Sequence, residues 1–93
     1  MERCWLISGR VQGVGFRYWV LRQAAAIGGL SGYAMNTADG EVLVLAAGAG
    51  AALEDLERRL YHGPLFARVD FVREVPEAIS QMPEVVNGVF KRI

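Results

Sequence analysis

Gly9, Gly13 and Gly15 fall within seven residues, and the hydrophobic pattern changes its period across them. Before them, Arg3 to Ser8 is a short apolar-rich run closed by Gly9, the pattern of a strand entering a turn. After them, Phe16, Val20, Ala24 and Ile27 recur at helical spacing, with Arg17, Arg22 and Gln23 left for other faces. Gly28-Gly29 then ends the helix. A chain that must pass from strand to helix through so flexible a turn leaves the first helical N–H groups without intrahelical partners, and something has to satisfy them.

The remaining pattern completes one architecture. Gly32 to Thr37 can form a second strand, and Ala38-Asp39-Gly40 carries the Asp-Gly chemistry of a type I′ hairpin turn. Glu41 to Ala47 is the third strand, and its nearly continuous apolar run from Val42 suits a central position. A second helix is predicted from about Ala51 to Tyr61, because Leu53, Leu56 and Leu60 share a face and Glu54–Arg58 and Asp55–Arg59 are spaced for i,i+4 pairing. His62-Gly63-Pro64 breaks it. Val69 and Phe71 then alternate with Arg68 and Asp70 in a fourth strand reaching towards Val75, and Val85 to Ile93 reads as one more extended segment. The order strand, helix, strand, strand, helix, strand is the split βαβ arrangement. It predicts an α+β, ferredoxin-like βαββαβ sandwich, an antiparallel sheet with two helices on one face. With 93 residues, 53% of them apolar, a single domain over 1–93 is expected.

Charge and cysteine usage remove several function classes. Lys plus Arg and Asp plus Glu number 10 each, so no net field gathers nucleic acid or anionic lipid, and any anion site must be local. An RNA-binding sheet would need an aromatic-rich basic strand that is not found here; Trp5, Trp19 and Tyr33 are assigned to packing. Cys4 is the only cysteine and is assigned to the core. It offers neither a disulfide framework nor a cysteine-rich metal site, so a reducing compartment and a fold without metal or cofactor are expected. The first residues reach Ser8-Gly9-Arg10 before an apolar leader develops, and no apolar run is long enough for a bilayer. The expectation is a cytoplasmic monomer with no nucleic-acid or membrane partner.

The glycine turn is suited to an oxyanion. Glycine lets successive N–H groups converge into a nest, and the helix dipole adds roughly half a positive charge at the same point. Arg17 lies in the first helical turn, where a cation opposes the dipole unless an anion sits between them; its planar guanidinium can bind two phosphate oxygens. On these residues alone, a plain strand-to-helix turn with Arg17 at the surface stands equally open. The turn is neither a Walker A loop nor a G-x-G-x-x-G dinucleotide fingerprint. His62 lies outside the turn and is assigned a structural role, and no acid/base pair or nucleophile–base motif is evident.

Gly9-Arg10-Val11-Gln12-Gly13-Val14-Gly15-Phe16-Arg17 resembles the signature of the acylphosphatases, small enzymes of ferredoxin-like fold that hydrolyse carboxylic-phosphoric anhydrides. Gly32-Tyr33-Ala34-Met35-Asn36 followed by Asp39-Gly40-Glu41-Val42 resembles the second signature of that family, and Gly63-Pro64 with Ala67 and Val69 a third block. The likeness spans about residues 4 to 75. It implies an acyl phosphate as small-molecule substrate, with Arg17 and Asn36 catalytic. Arg17 would bind phosphate and Asn36 would position the attacking water. The amides of Gln12, Gly13, Val14, Gly15 and Phe16 would hold the phosphoryl oxygens. Without the resemblance, Asn36 reads as a turn residue before the hairpin. The chain departs from the family pattern at Gly28-Gly29, which lengthens the link between Arg17 and Asn36 by one residue. It departs also at Tyr33 for tryptophan, Met35 for a basic residue, Leu43 for glutamate, and in the terminal Phe90-Lys91-Arg92-Ile93. A non-catalytic phosphate-ligand or interaction domain of the same fold, like the acylphosphatase-like domains of hydrogenase-maturation carbamoyltransferases, is the alternative.

Overall fold

Alternation along the first strand sets two layers of packing. In the computed structural model, which describes residues 1–93, β1 (Glu2–Arg10) buries Trp5 and Ile7 on one face of the sheet and Cys4 on the other. It is followed by α1 (Phe16–Ile27), β2 (Ser31–Asn36), β3 (Val42–Ala47), α2 (Gly50–Leu60) and β4 (Arg68–Glu74). A 3-10 helix at Pro76–Gln81 precedes a short last strand, β5 (Phe90–Arg92). The strand order is β4-β1-β3-β2-β5. The first four strands pair antiparallel as expected, whereas β5 runs parallel to β2, so the sheet is mixed. The tail read as extended from Val85 is strand only over its last residues.

The main core lies between the sheet and both helices. Phe16, Val20 and Ala24 of α1 and Leu53, Leu56 and Leu60 of α2 pack on Trp5, Ile7, Ala34, Val42, Val44 and Ala46. Full burial of each such leucine stabilises the fold by about 1.5–3 kcal/mol relative to exposure. The second face is not open. Cys4, Tyr33, Leu43, Leu45 and Val75 form a smaller core under the segment that carries Ala78, Ile79, Met82 and Val85, and the Tyr33 hydroxyl donates to the Pro83 carbonyl at 2.6 Å. That covering explains why β3 is apolar at consecutive positions: Val42, Val44 and Ala46 face the helices, while Leu43 and Leu45 face the strap.

Three local expectations are corrected. The hairpin turn is not type I′, which needs a positive φ at two central residues, because only glycines in this chain have positive φ. Instead the Gly40 N–H donates to the Thr37 carbonyl at 3.3 Å, and Gly40 itself takes φ 84°. That is a type I turn followed by a left-handed residue, the usual three-residue hairpin. Phe71 does not join the core: the β1–β4 register shifts between Ser8 and Gly9, leaving Asp70 as the extra residue. Val69 and Val72 therefore turn towards the helices and Phe71 towards solvent. On α2, Asp55 pairs with Arg59 at 3.2 Å as expected, but Arg58 reaches the same half-buried Asp55 at 3.3 Å rather than the exposed Glu54.

The topology places the glycine turn. Because β1 and β2 both run antiparallel to β3, their C-terminal ends emerge at one end of the sheet with the start of β3 between them. Gly28-Gly29 sits at the far end of α1, where Gly28 donates to the Ala24 carbonyl at 2.9 Å. At 1.5 Å per residue it lies roughly 18 Å along the helix from Phe16.

Candidate active site

The turn after β1 holds Gly13 at φ 74° and Gly15 at φ 77°, with Val14 between them at negative φ. Alternation of sign along three residues points successive N–H groups into one concavity. None of the main-chain N–H groups from Gly13 to Tyr18 donates a hydrogen bond within the chain. Gly15 caps α1 with no side-chain oxygen, and the first turn holds no acidic residue, so the positive end of the dipole is left for an external anion.

A cavity of about 170 Å³ opens on these amides, lined among others by Gly13, Gly15, Phe16, Arg17, Asn36 and Arg92. Phe16 is 1% exposed and stacks at a tilt on Trp19 with ring centroids 5.4 Å apart, so its ring anchors the start of the helix in the core. Val14 packs against the core. Arg17 is half-buried, and its Nη1 donates to the main-chain oxygen of Ile93 at 3.1 Å. Asn36, the last residue of β2, is half-buried and pairs with Val42 of β3. Two residues 19 positions apart in sequence thus line one small polar space.

Gln12 behaves differently from its neighbours. Its side-chain Nε2 donates to the Thr37 and Glu41 carbonyls, both at 2.9 Å, so it reaches the β2–β3 hairpin. Arg92 also lines the cavity and, like Val11 and Tyr18, was missed by sequence reasoning. It reaches the site because β5 pairs parallel with β2, Arg92 opposite Ala34, and Ile93 N–H donates to the Ala34 carbonyl at 3.0 Å. The basic pair Lys91-Arg92 was the available signal, but its register could not be read. His62 is exposed; its main-chain N–H donates to Arg59 at 3.0 Å. No three His, Cys, Asp and Glu side chains cluster as metal ligands would, and no helix is long and apolar enough to cross a membrane.

The family model described as Acylphosphatase matches residues 4–85. The chain belongs to the acylphosphatase family. A protein of Nitrobacter winogradskyi named acylphosphatase is 42% identical, over 89% of this chain and 83% of that protein. One of Koribacter versatilis with the same name is 51% identical, over 85% of this chain and 70% of its own. The crystal structure of the Bacillus subtilis acylphosphatase superposes with a TM-score of 0.80 at 32% identity, covering 99% of this chain and 97% of that one. The family and enzyme class implied by the signature blocks and the ferredoxin-like arrangement expected from the element order hold, and the acylphosphatase relatives do not favour the non-catalytic alternative.

Proposed function

We propose that this acylphosphatase cleaves the carboxyl–phosphate anhydride of small acyl phosphates to a carboxylate and inorganic phosphate, with Arg17 and the turn amides holding the phosphoryl group and Asn36 orienting water. The observation that carries this reading is the shared cavity: residues of the turn with its free amides, Arg17 and Asn36 line one space of about 170 Å³. In-line attack needs little else. The leaving carboxylate has a conjugate acid near pKa 4, so it departs without protonation by an enzyme acid. The water oxygen bonds to phosphorus as the bond to the carboxylate oxygen breaks. Its proton passes to a phosphate oxygen or to solvent, because an amide is a poor base. The protein's contribution is positioning and charge stabilisation, from amides and guanidinium that need no reorganisation.

Arg92 adds a second cation to the same space and is assigned to attraction of the anionic substrate. The reaction is proposed to proceed without metal or cofactor, in a cytoplasmic monomer acting as a single domain. The test is hydrolysis of benzoyl or acetyl phosphate, with a chelator present, by wild type and Asn36→Ala. Wild type turns over, and Asn36→Ala loses kcat with little change in KM because it acts on water. An inactive wild type overturns the activity; an Asn36→Ala enzyme with unchanged kcat overturns the role of Asn36.

A further inference from the structure

The two halves of the site hang on strands that do not touch. The anion turn follows β1 and Asn36 ends β2, while Val42 of β3 lies between them, paired with Ile7 on one side and Asn36 on the other. Two strand spacings amount to roughly 9–10 Å, and in-line attack depends on how the water at Asn36 is placed relative to phosphorus in the turn. A site split in this way needs a brace. Gln12, the residue before the first glycine of the nest, supplies one: its two amide hydrogens go to the carbonyls of Thr37 and Glu41, each at 2.9 Å.

The acceptors sit at the neck of the hairpin. Thr37 follows Asn36 directly, and the same neck is closed by Thr37 N–H donating to the Glu41 carbonyl at 2.9 Å and Glu41 N–H to the Thr37 hydroxyl at 3.2 Å. The Ser8 hydroxyl adds a contact to the Glu41 carboxylate at 2.6 Å, fixing that side of the neck to β1. The Gln12 amide is thus the one side chain of the turn that hydrogen-bonds the hairpin neck directly following Asn36.

We infer that Gln12 is a positioning residue of the hydrolysis, whose side-chain amide sets the distance between the phosphate-holding turn and the water-orienting Asn36. This deepens the reading of the site given above and rests on it. The Gln12 amide hydrogens are taken up by the Thr37 and Glu41 carbonyls, and Gln12 does not line the cavity. Losing the amide leaves the nest and Arg17 able to bind phosphate, while Asn36 moves relative to it. A misplacement of about 1 Å can cost on the order of 100-fold in rate.

The experiment measures kcat on benzoyl phosphate, inhibition by inorganic phosphate, and thermal melting for wild type, Gln12→Ala, Gln12→Glu, Asn36→Ala and the double variant Gln12→Ala with Asn36→Ala. Gln12→Glu keeps the volume and, ionised, cannot donate. The expected result is a kcat lower by about 10- to 100-fold in both Gln12 variants, phosphate inhibition within about threefold of wild type, and almost no further loss when Gln12→Ala is added to Asn36→Ala. Wild-type kcat in a folded Gln12 variant, equal losses in kcat and phosphate binding, or additive losses in the double variant would each overturn the inference. Failure of both Gln12 variants to fold would overturn it too, since the amide would then be a determinant of the fold rather than of geometry. If wild type turns over and Asn36→Ala does not, the reading of the site survives even where this inference falls.

Discussion

Replacing Arg17 separates charge from shape at the phosphate. One of its five N–H donors is held by the Ile93 main-chain oxygen at 3.1 Å, which leaves four for phosphoryl oxygens. Hydrogen bonds to charged groups contribute about 1.5–3 kcal/mol each, so loss of a bidentate grip in Arg17→Ala removes roughly 3–6 kcal/mol. At 1.4 kcal/mol per decade this is about 10² to 10⁴ in kcat/KM. The lower end is favoured, because Arg17 is only half-buried and Arg92 lines the same cavity and retains some charge. Arg17→Lys keeps the charge and loses the planar fork, so about one hydrogen bond goes and the loss is roughly 10- to 100-fold. Initial rates on benzoyl phosphate and competitive inhibition by inorganic phosphate read both quantities. The reasoning fails if Arg17→Lys matches wild type, or if Arg17→Ala lowers kcat while phosphate inhibits it as well as before.

Three further substitutions probe other parts of the molecule. Arg92→Ala, at an exposed position, should weaken phosphate inhibition by about 1 kcal/mol or less, up to roughly fivefold, with the difference shrinking in high salt; a kcat loss beyond 100-fold would mean that Arg92 touches the reacting group. Tyr33→Phe deprives the Pro83 carbonyl of its 2.6 Å donor under the second core and should cost about 1–2 kcal/mol in urea unfolding, with activity retained; an unchanged midpoint would show that the strap does not depend on this bond. Burial pushes the Cys4 thiol from about 9 up to about 11, so between those values the folded chain keeps a proton that the unfolded chain releases. Unfolding free energy must therefore fall as pH rises through that window, by on the order of 2 kcal/mol, and Cys4→Ala should lose less between pH 8.5 and 10.5 than wild type. Burial raises Tyr33 in the same direction in both proteins, so only the difference between them reports on Cys4, and equal losses would refute the assignment.

What could be read in advance was local. The change of period at the glycine turn marks β1 and α1, and the leucines at 53, 56 and 60 mark the buried face of α2, because each signal lies within one element. Arg17 and Asn36 were reached through signature blocks, and they line one cavity because β1 and β2 finish at the same end of the sheet. What escaped depends on pairings between distant segments. The bulge that turns Phe71 outward exists only in the register of β4 against β1. Arg92 joins the cavity only through the parallel pairing of β5 with β2, and the strap over Cys4 and Leu45 has no periodicity to announce it.

Gln12 shows the limit most sharply. Its place in the first signature suggested a main-chain donor like its neighbours, and nothing in the turn's own sequence says that its side chain should look elsewhere. That direction follows from strand order: with β3 inserted between β1 and β2, the turn and Asn36 lack a shared ladder, and a side chain with two hydrogens can bridge the gap to two carbonyls. A glutamate there would meet those carbonyls with negative charge, and a shorter asparagine would fall about one bond short. The same topology therefore explains both why the site can be assembled from two separate strands and why one glutamine amide is asked to hold them in register.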